Sequence, residues 1–482
     1  MDKNCLLINP IKRLHPPFGL LYIAAALEKA DFRVEIFEAL SEDVLPIDET
    51  FRQLRMKIPR CDPSFIGITC MSAQAPTVRR LTGWIKERFP RIKIVLGGVH
   101  PTFMPHQAMG WGADFVVAGE GEKTMVDLAG FITEGGPSAD GIGGLYYRKG
   151  TEIVSTGRQE TIEDLDEIPE PAYHLVPKER FTKRKGEIRG TWLRCAWIWT
   201  SRGCPSRCTF CAGHRFFGKK VRYRSLDNIF RELDHLVEKF NIEAFYILDD
   251  TFTINSGHVQ AFCERLKASY PDLKWSCQAR VNFFDELTAK ALKDAGCIQV
   301  DFGVESGSQR ILDLLKKGIK VEQTEKAFSA CKKYGIKALA TIMIGNPTES
   351  LEDVDETRKM LKRIEPDFTA VYFTTPFPGT ELYTLARSEG LITDESIERE
   401  YRHQLVEPLA WTKVEKKKWE AIYDELSKWS IIDNYLLNPL FLLDMSKFSL
   451  MHPGIAGTVL YRFLKGDRKG AFQLLTETSF SV

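Results

Sequence analysis

Apolar residues in the first 135 positions fall into short β-rich runs: CLLINP, RVEIFEA, FIGITCM, KIVLGGV and FVVAGEG. These alternate with stretches over 18–30, 49–58, 76–89 and 122–133, where apolar positions recur at helical spacing. Alternating strands and helices predict βαβ units and a parallel sheet covered on both faces. Residues 142–156 read as a hairpin turning at Lys149-Gly150, and 163–177, with Pro169, Pro171 and Pro177 among acids, as a linker.

The alternation then resumes. Strands are expected at 196–200 and at EAFYILDD, KWSCQAR, QVDFGVES, KALATIMIG and FTAVYFTTP, with helices over 225–240, 257–269, 285–295, 308–315, 322–334 and 350–364. Six βα units are too few to close an eight-stranded barrel, so an open, partial barrel is expected. From about residue 402 the pattern changes again. A charged helix over 415–426 carries Trp419 and Tyr423 on one face, and more apolar, aromatic segments follow it. The predicted organisation is α/β. It has an N-terminal doubly wound parallel sheet (1–140), a hairpin and linker (141–190), a six-unit partial βα barrel (191–400) and a helical C-terminal extension (401–482).

Composition narrows the function classes. A length of 482 residues allows two or three domains with full cores, and a net charge of +1 gives no pull toward nucleic acid. No run approaches the roughly 18 apolar residues of a membrane span, and the N-terminus lacks a signal-peptide pattern, so a cytoplasmic location is expected. An odd number of cysteines, 11, argues against a disulfide framework. Cys5, Cys70, Cys263, Cys277, Cys297 and Cys331 lie in apolar runs and are expected to be buried as small hydrophobes.

Candidate chemistry gathers in three places. The stretch WTSRGCPSRCTFCAGHR holds Cys204, Cys208 and Cys211, three thiols able to grip a metal centre from one loop. A structural zinc site normally closes with four protein ligands, so three leave a position open for chemistry, with a zinc knuckle or a ferredoxin-like site as the rival readings. At the carboxyl ends of the third, fourth and fifth strands stand Ser72, Gly97, Gly98, His100, Thr102, Gly119, Glu120, Gly121 and Thr124. Ligands bind there in open α/β sheets, and the glycines would admit a close backbone approach. No G-x-G-x-x-G opens a helix after the first strand, which disfavours a nicotinamide site. In the second series Asp249, Asp250, Gln278, Arg280, Asp301, Glu305, Asn346 and Glu349 end successive strands, either as caps of the following helices or as one shared site.

Together these motifs resemble those of the radical SAM superfamily. The Cys-x3-Cys-x2-Cys loop with Phe210 before its last cysteine is the superfamily hallmark, and LDDTF, GVESGS, TIMIGNPTES and TPFPGTEL resemble its later strand ends. Upstream, NP…PPFGLLYIAAALE, GGVHPT and VVAGEGEKT resemble the cobalamin-binding domain of many such proteins. The D-x-H-x-x-G motif is missing, so His15 and His100 are open as cobalt ligands or as hydrogen-bonding loop residues. The resemblance implies a 4Fe–4S cluster on Cys204, Cys208 and Cys211, which cleaves S-adenosylmethionine (SAM) to a radical. It further implies cofactor binding by Phe210, Asp249, Asp250, Gln278, Arg280, Glu305, Ser306 and Gly345. On the cobalamin side it implies Ser72, Gly97, Gly98, His100, Thr102, Gly119, Glu120 and Gly121. The expected reaction is methylation of an unactivated carbon of a small-molecule or lipid-like substrate. The alternative is an oxidative cyclisation or ring rearrangement of tetrapyrrole-cyclase type. A methylthiotransferase or a non-enzymatic cobalamin sensor fits less well. The implied partners are an electron donor such as flavodoxin or ferredoxin and no nucleic acid, and the tail is compatible with contact at a membrane surface.

Overall fold

Two parallel sheets carry the chain. The computed structural model describes residues 3–11, 15–39, 47–136, 138–157, 161–393, 409–412 and 414–427, with 457, 458 and 461 besides. In the first sheet β1 (Asn4–Asn9) lies between β2 (Arg33–Glu38) and β3 (Phe65–Thr69), followed by β4 (Lys93–Gly97) and β5 (Phe115–Val117), all parallel. The hairpin of β6 (Leu145–Lys149) and β7 (Glu152–Ser155) then adds antiparallel to β5. The hairpin predicted from the sequence therefore forms, and it continues the first sheet instead of standing in a connecting segment.

Successive residues of a strand serve opposite faces. Leu6, Ile8, Ile66, Ile68 and Leu96 pack with Val78, Leu81 and Ile85 on one side. Cys5, Leu7, Phe65 and Val95 pack with Leu20, Ala24, Met125 and Leu128 on the other. Burial on both faces is why these strands read as continuous apolar runs. The helices Phe18–Lys29, Ile47–Cys61, Ala75–Arg88 and Glu122–Glu134 lie within a few residues of the predicted spans. Two further helices, Val99–Phe103 and Pro105–Gly110, are too short to show a period and escape a pattern-based reading.

The second sheet holds six parallel strands in sequence order: β9 (Leu193–Ile198), β10 (Ala244–Ile247), β11 (Lys274–Ala279), β12 (Cys297–Glu305), β13 (Lys337–Ile344) and β14 (Phe368–Phe373). The two-residue β8 (Arg184–Lys185) pairs antiparallel with β9 at one edge. This is the expected six-unit half-barrel. Its helix-facing side buries Trp275 stacked on Phe245, with Phe252 and Phe262 edge-on to the indole. On the opposite side Asp301, Gly303, Thr341, Ala370 and Tyr372 stay at least partly accessible, while Phe302, Val304, Ile342 and Val371 between them are buried. Helix starts are fixed by Ser225, Asn255, Asp285 and Ser350, whose side chains accept backbone N–H bonds from the first turn.

By packing, the chain forms two units. One comprises Met1–Pro177 with Gly203–Arg224 and Thr375–Leu405, the other Lys178–Arg202, Ser225–Thr374 and Val406–Val482. The Cys-bearing segment, grouped by sequence with the barrel, thus packs with the first sheet. In the second unit helix Lys416–Leu426 lies on the barrel, with Trp419, Ile422 and Leu426 buried and Tyr423 stacked on Phe373. Apart from Gly457, Thr458 and Tyr461, the apolar segments beyond 427, on which the membrane-surface expectation depended, lie outside the described residues. No helix among those described is long and apolar enough to cross a membrane.

Candidate functional site

At the turns after β3 and β4 of the first sheet, backbone and neutral side chains hold the loops together. Gly98 has φ +99°, and a Cβ there would stand 3.0 Å from the Cys70 carbonyl and Thr69 Oγ1, so any side chain would be both strained and crowded. Thr102 Oγ1 donates to Gly98 O (2.7 Å) and accepts from Gly119 N (2.9 Å), tying the turn after β4 to that after β5. His100 is fully buried and stacked on Trp111 at 5.3 Å. Its Nε2 donates to Gln107 Oε1 at 2.9 Å, and its Nδ1 lies within hydrogen-bond distance of Ser72 Oγ at 3.3 Å. Both ring nitrogens are engaged inside the protein, which makes His100 a clamp between two loops. His15 Nδ1 lies 3.1 Å from Pro16 O. Glu120 is buried and paired with Arg222.

The Cys loop is held by a tight return of the chain. Gly203 has φ +100° with Lys220 O only 2.3 Å from where its Cβ would stand, and Cys204 N donates to Gly218 O at 3.2 Å. On the other side Leu382 N, at the start of helix Glu381–Ser388, donates to Thr209 O at 3.0 Å. None of the three cysteines is in a disulfide; Cys208 is buried, Cys204 and Cys211 are partly exposed, and Phe210 beside them is also partly exposed. Gly213 N donates to Cys211 Sγ at 3.3 Å. Among the described residues no three His, Cys, Asp or Glu side chains form a group that could hold a single metal ion.

At the tips of the half-barrel, charge dominates. Asp249 is buried and accepts from Thr200 N (2.7 Å), Thr200 Oγ1 (2.5 Å) and Ser201 Oγ (2.6 Å). Burial raises its pKa against those bonds. Its neighbour Asp250 is exposed at its tip yet crowded by protein. Desolvation first, then the charge of Asp249, lifts its pKa to about 6. Glu305 stands at φ +69° and ion-pairs with Lys317 Nζ at 2.6 Å, both side chains buried. A Cβ at Gly303 would lie 2.6 Å from Lys317 Nζ and 2.7 Å from Glu305 Oε1, so the missing side chain makes room for the pair. Arg280 donates to Lys317 O, while Gln278 is exposed. Ser306 is buried within hydrogen-bond distance of Thr357. Gly345 O accepts from Trp411 Nε1 at 2.7 Å. Next to it Asn346 N and Nδ2 donate to Glu349 Oε2 (2.9 and 3.2 Å), and burial pushes the Glu349 carboxyl up to about 7. Asp301 accepts from Arg189, Tyr246 and Gln299 on the accessible side of the sheet.

The sequence-predicted residues thus separate into two kinds. Asp250, Gln278, the three cysteines and the bare glycine backbone remain able to meet a ligand. Asp249, Glu120, His100, Ser306 and Thr102 are engaged in holding the loops. Lys317, Arg222 and Trp411 were not singled out from the sequence. Lys317 follows Glu305 by twelve positions in an ordinary basic pair, Lys316-Lys317, which carries no signal of its own.

A model of the radical SAM superfamily matches residues 199–361, and a model of the B12 binding domain matches residues 5–129. A Pyrococcus horikoshii protein named an uncharacterised methyltransferase is 36% identical over 382 residues, 78% of this chain and 80% of that protein. The anaerobic magnesium-protoporphyrin IX monomethyl ester cyclase of Rubrivivax gelatinosus is 30% identical over 376 residues, 76% of this chain and 66% of the cyclase. In fold, the chain is similar to the radical S-adenosylmethionine methyltransferase TsrM of Kitasatospora setae. The TM-score is 0.68 at 22% identity, covering 81% of this chain and 79% of that one. The chain belongs to the cobalamin-binding group of the radical SAM superfamily, and its cofactors are a 4Fe–4S cluster, S-adenosylmethionine and cobalamin.

Proposed function

We propose that the protein is a cobalamin-dependent radical SAM methyltransferase that methylates an unactivated carbon of a small-molecule or lipid-like substrate. The observation that carries this reading is the 36% identity, across 78% of the chain, to a relative named as a methyltransferase. When bound, the reduced cluster supplies the electron that splits SAM, and cobalamin supplies the methyl group. Cys204, Cys208 and Cys211 would each ligate one iron, with the Gly213 N–H pointing at Cys211 Sγ. Asp250, with its pKa of about 6, is ionised at neutral pH and meets the ammonium of the methionine part of SAM. Glu305, held by Lys317, presents its remaining acceptor capacity to the same ligand. The glycine turns after β4 and β5 admit the corrin. An external electron donor such as a flavodoxin or ferredoxin supplies the reducing equivalents.

The test is anaerobic reconstitution with iron, sulfide and hydroxocobalamin, followed by SAM labelled in its methyl group. Label on cobalamin is the expected result. The Rubrivivax relative favours a cyclase as second reading. Cobalamin that binds but never takes the label would replace methyl transfer with that reading.

A further inference from the structure

Glu120 reads from the sequence as a cofactor residue, yet its carboxylate is engaged inside the protein. Arg222 Nη1 donates to Glu120 Oε2 at 2.9 Å and Nη2 to Oε1 at 2.7 Å, with the two side chains 2% and 5% exposed. Nη2 also donates to Phe217 O at 3.0 Å and Nη1 to Ile162 O, while Ile162 N donates to Glu120 Oε2 at 3.4 Å. Three segments distant in sequence meet at this guanidinium. They are the Gly119-Glu120-Gly121 turn after β5, the connecting stretch at Ile162 and the arm that leaves the Cys loop. The same arm closes that loop, since Gly218 O takes the Cys204 N–H and Lys220 O packs against Gly203. A bidentate, planar pair fixes both distance and rotation, whereas an apolar contact would let the two loops slide.

We propose that the Glu120–Arg222 pair is a positioning device. It locks the loop bearing Cys204, Cys208 and Cys211 in register with the turn Gly119-Glu120-Gly121, and thereby sets the separation of cluster and cobalamin. The proposal rests on the reading of these loops as the cluster and cobalamin sites. Glu120 and Arg222 act through the backbone they hold, and a mismatch between them displaces the loops without removing a ligand.

The experiment uses the anaerobically reconstituted full chain, Glu120→Gln and Arg222→Lys, each assayed for bound iron and cobalamin. The electron-spin relaxation of cob(II)alamin is then measured with the cluster reduced and oxidised. Relaxation enhancement reads the distance between the two centres and is indifferent to turnover. The expected result is wild-type iron and cobalamin content in both variants, with an altered and broadened relaxation enhancement. Label transfer to cobalamin should slow by about ten- to a hundredfold, the scale of an ångström-sized misplacement. Unchanged relaxation in both variants overturns the positioning role while leaving the functional reading intact. Loss of iron from both variants also overturns it, because the pair would then merely fold the loop. A wild-type chain that takes up neither cofactor overturns both.

Discussion

The two sheets share a design and differ at their tips. Both are mainly parallel and end in loops that carry the candidate chemistry, but the turns after β3 and β4 of the first are finished with neutral groups, its one buried ion pair described above being Glu120–Arg222 after β5, and the tips of the second with charges. After β3 and β4 a serine, a threonine and a histidine join the turns, and bare glycine backbone is left between them. After β10, β12 and β13 the tips hold Asp249, Asp250, Glu305 with Lys317, and Glu349. Shape, set by glycine and short hydrogen bonds, is what the first face offers a ligand. The second face offers charge held at a raised energy by burial. Damage to the first should therefore show as lost cofactor shape-fit, and damage to the second as altered ion binding and pH dependence.

The largest effect expected is at the loop. Cys208→Ala should abolish the cluster, seen as loss of its visible absorbance and of bound iron after reconstitution; retention of full iron content would refute the ligand assignment.

On the charged face, Lys317→Met strands Glu305 in the interior without its partner. Removing one member of a buried pair costs roughly 3–5 kcal/mol, read as a fall in the midpoint of denaturant unfolding. Pairing it with Glu305→Gln should restore most of that stability while SAM affinity stays low. If the double variant is no better than the single one, the pair is not what the site depends on.

Glu349 gives the charged face a pH signature. Between its ordinary 4.5 and its raised value of about 7 the folded chain keeps a proton that the unfolded chain has released. Stability contributed there is present at low pH and lost as pH rises through about 7, by up to about 3 kcal/mol. Glu349→Gln should flatten the difference in thermal midpoint between pH 5 and pH 8; an undiminished slope would place the effect elsewhere.

The neutral face predicts a smaller change. Gly98→Ala forces a Cβ against the Cys70 carbonyl at positive φ, a strain of roughly 1–3 kcal/mol. Its readout is weaker cobalamin uptake at unchanged iron content. Equal uptake would mean that this turn does not shape the corrin site.

Much of the fold was legible because it depends on local pattern. Runs buried on both faces and helices begun by Ser225, Asn255, Asp285 and Ser350 announce themselves within a few residues. The three cysteines were equally legible, since their spacing lies in one loop. What the sequence hid is how strand-end acids divide. Asp249 and Asp250 are adjacent and alike in type, yet Thr200 and Ser201, 49 and 48 positions away, take up one and leave the other exposed. The left-handed backbone of Glu305 and the contribution of Trp411 to Gly345 O depend in the same way on partners that no local pattern announces. So does the packing of Gly203–Arg224 with the first sheet, for which Arg222 needs Glu120 102 positions away.

The cysteines outside the loop carry a practical consequence. Every one of them is buried, and burial lifts Cys5 to about 12, Cys61 to about 11, and Cys70, Cys195, Cys263, Cys277 and Cys331 well up. Thiols held protonated in the interior are poor nucleophiles. An alkylating reagent added to the folded chain therefore meets Cys204 and Cys211 first and Cys208 after them. The protein carries its own titration standard: modification in mild conditions counts the loop, and any fourth equivalent reports that the native packing has been lost.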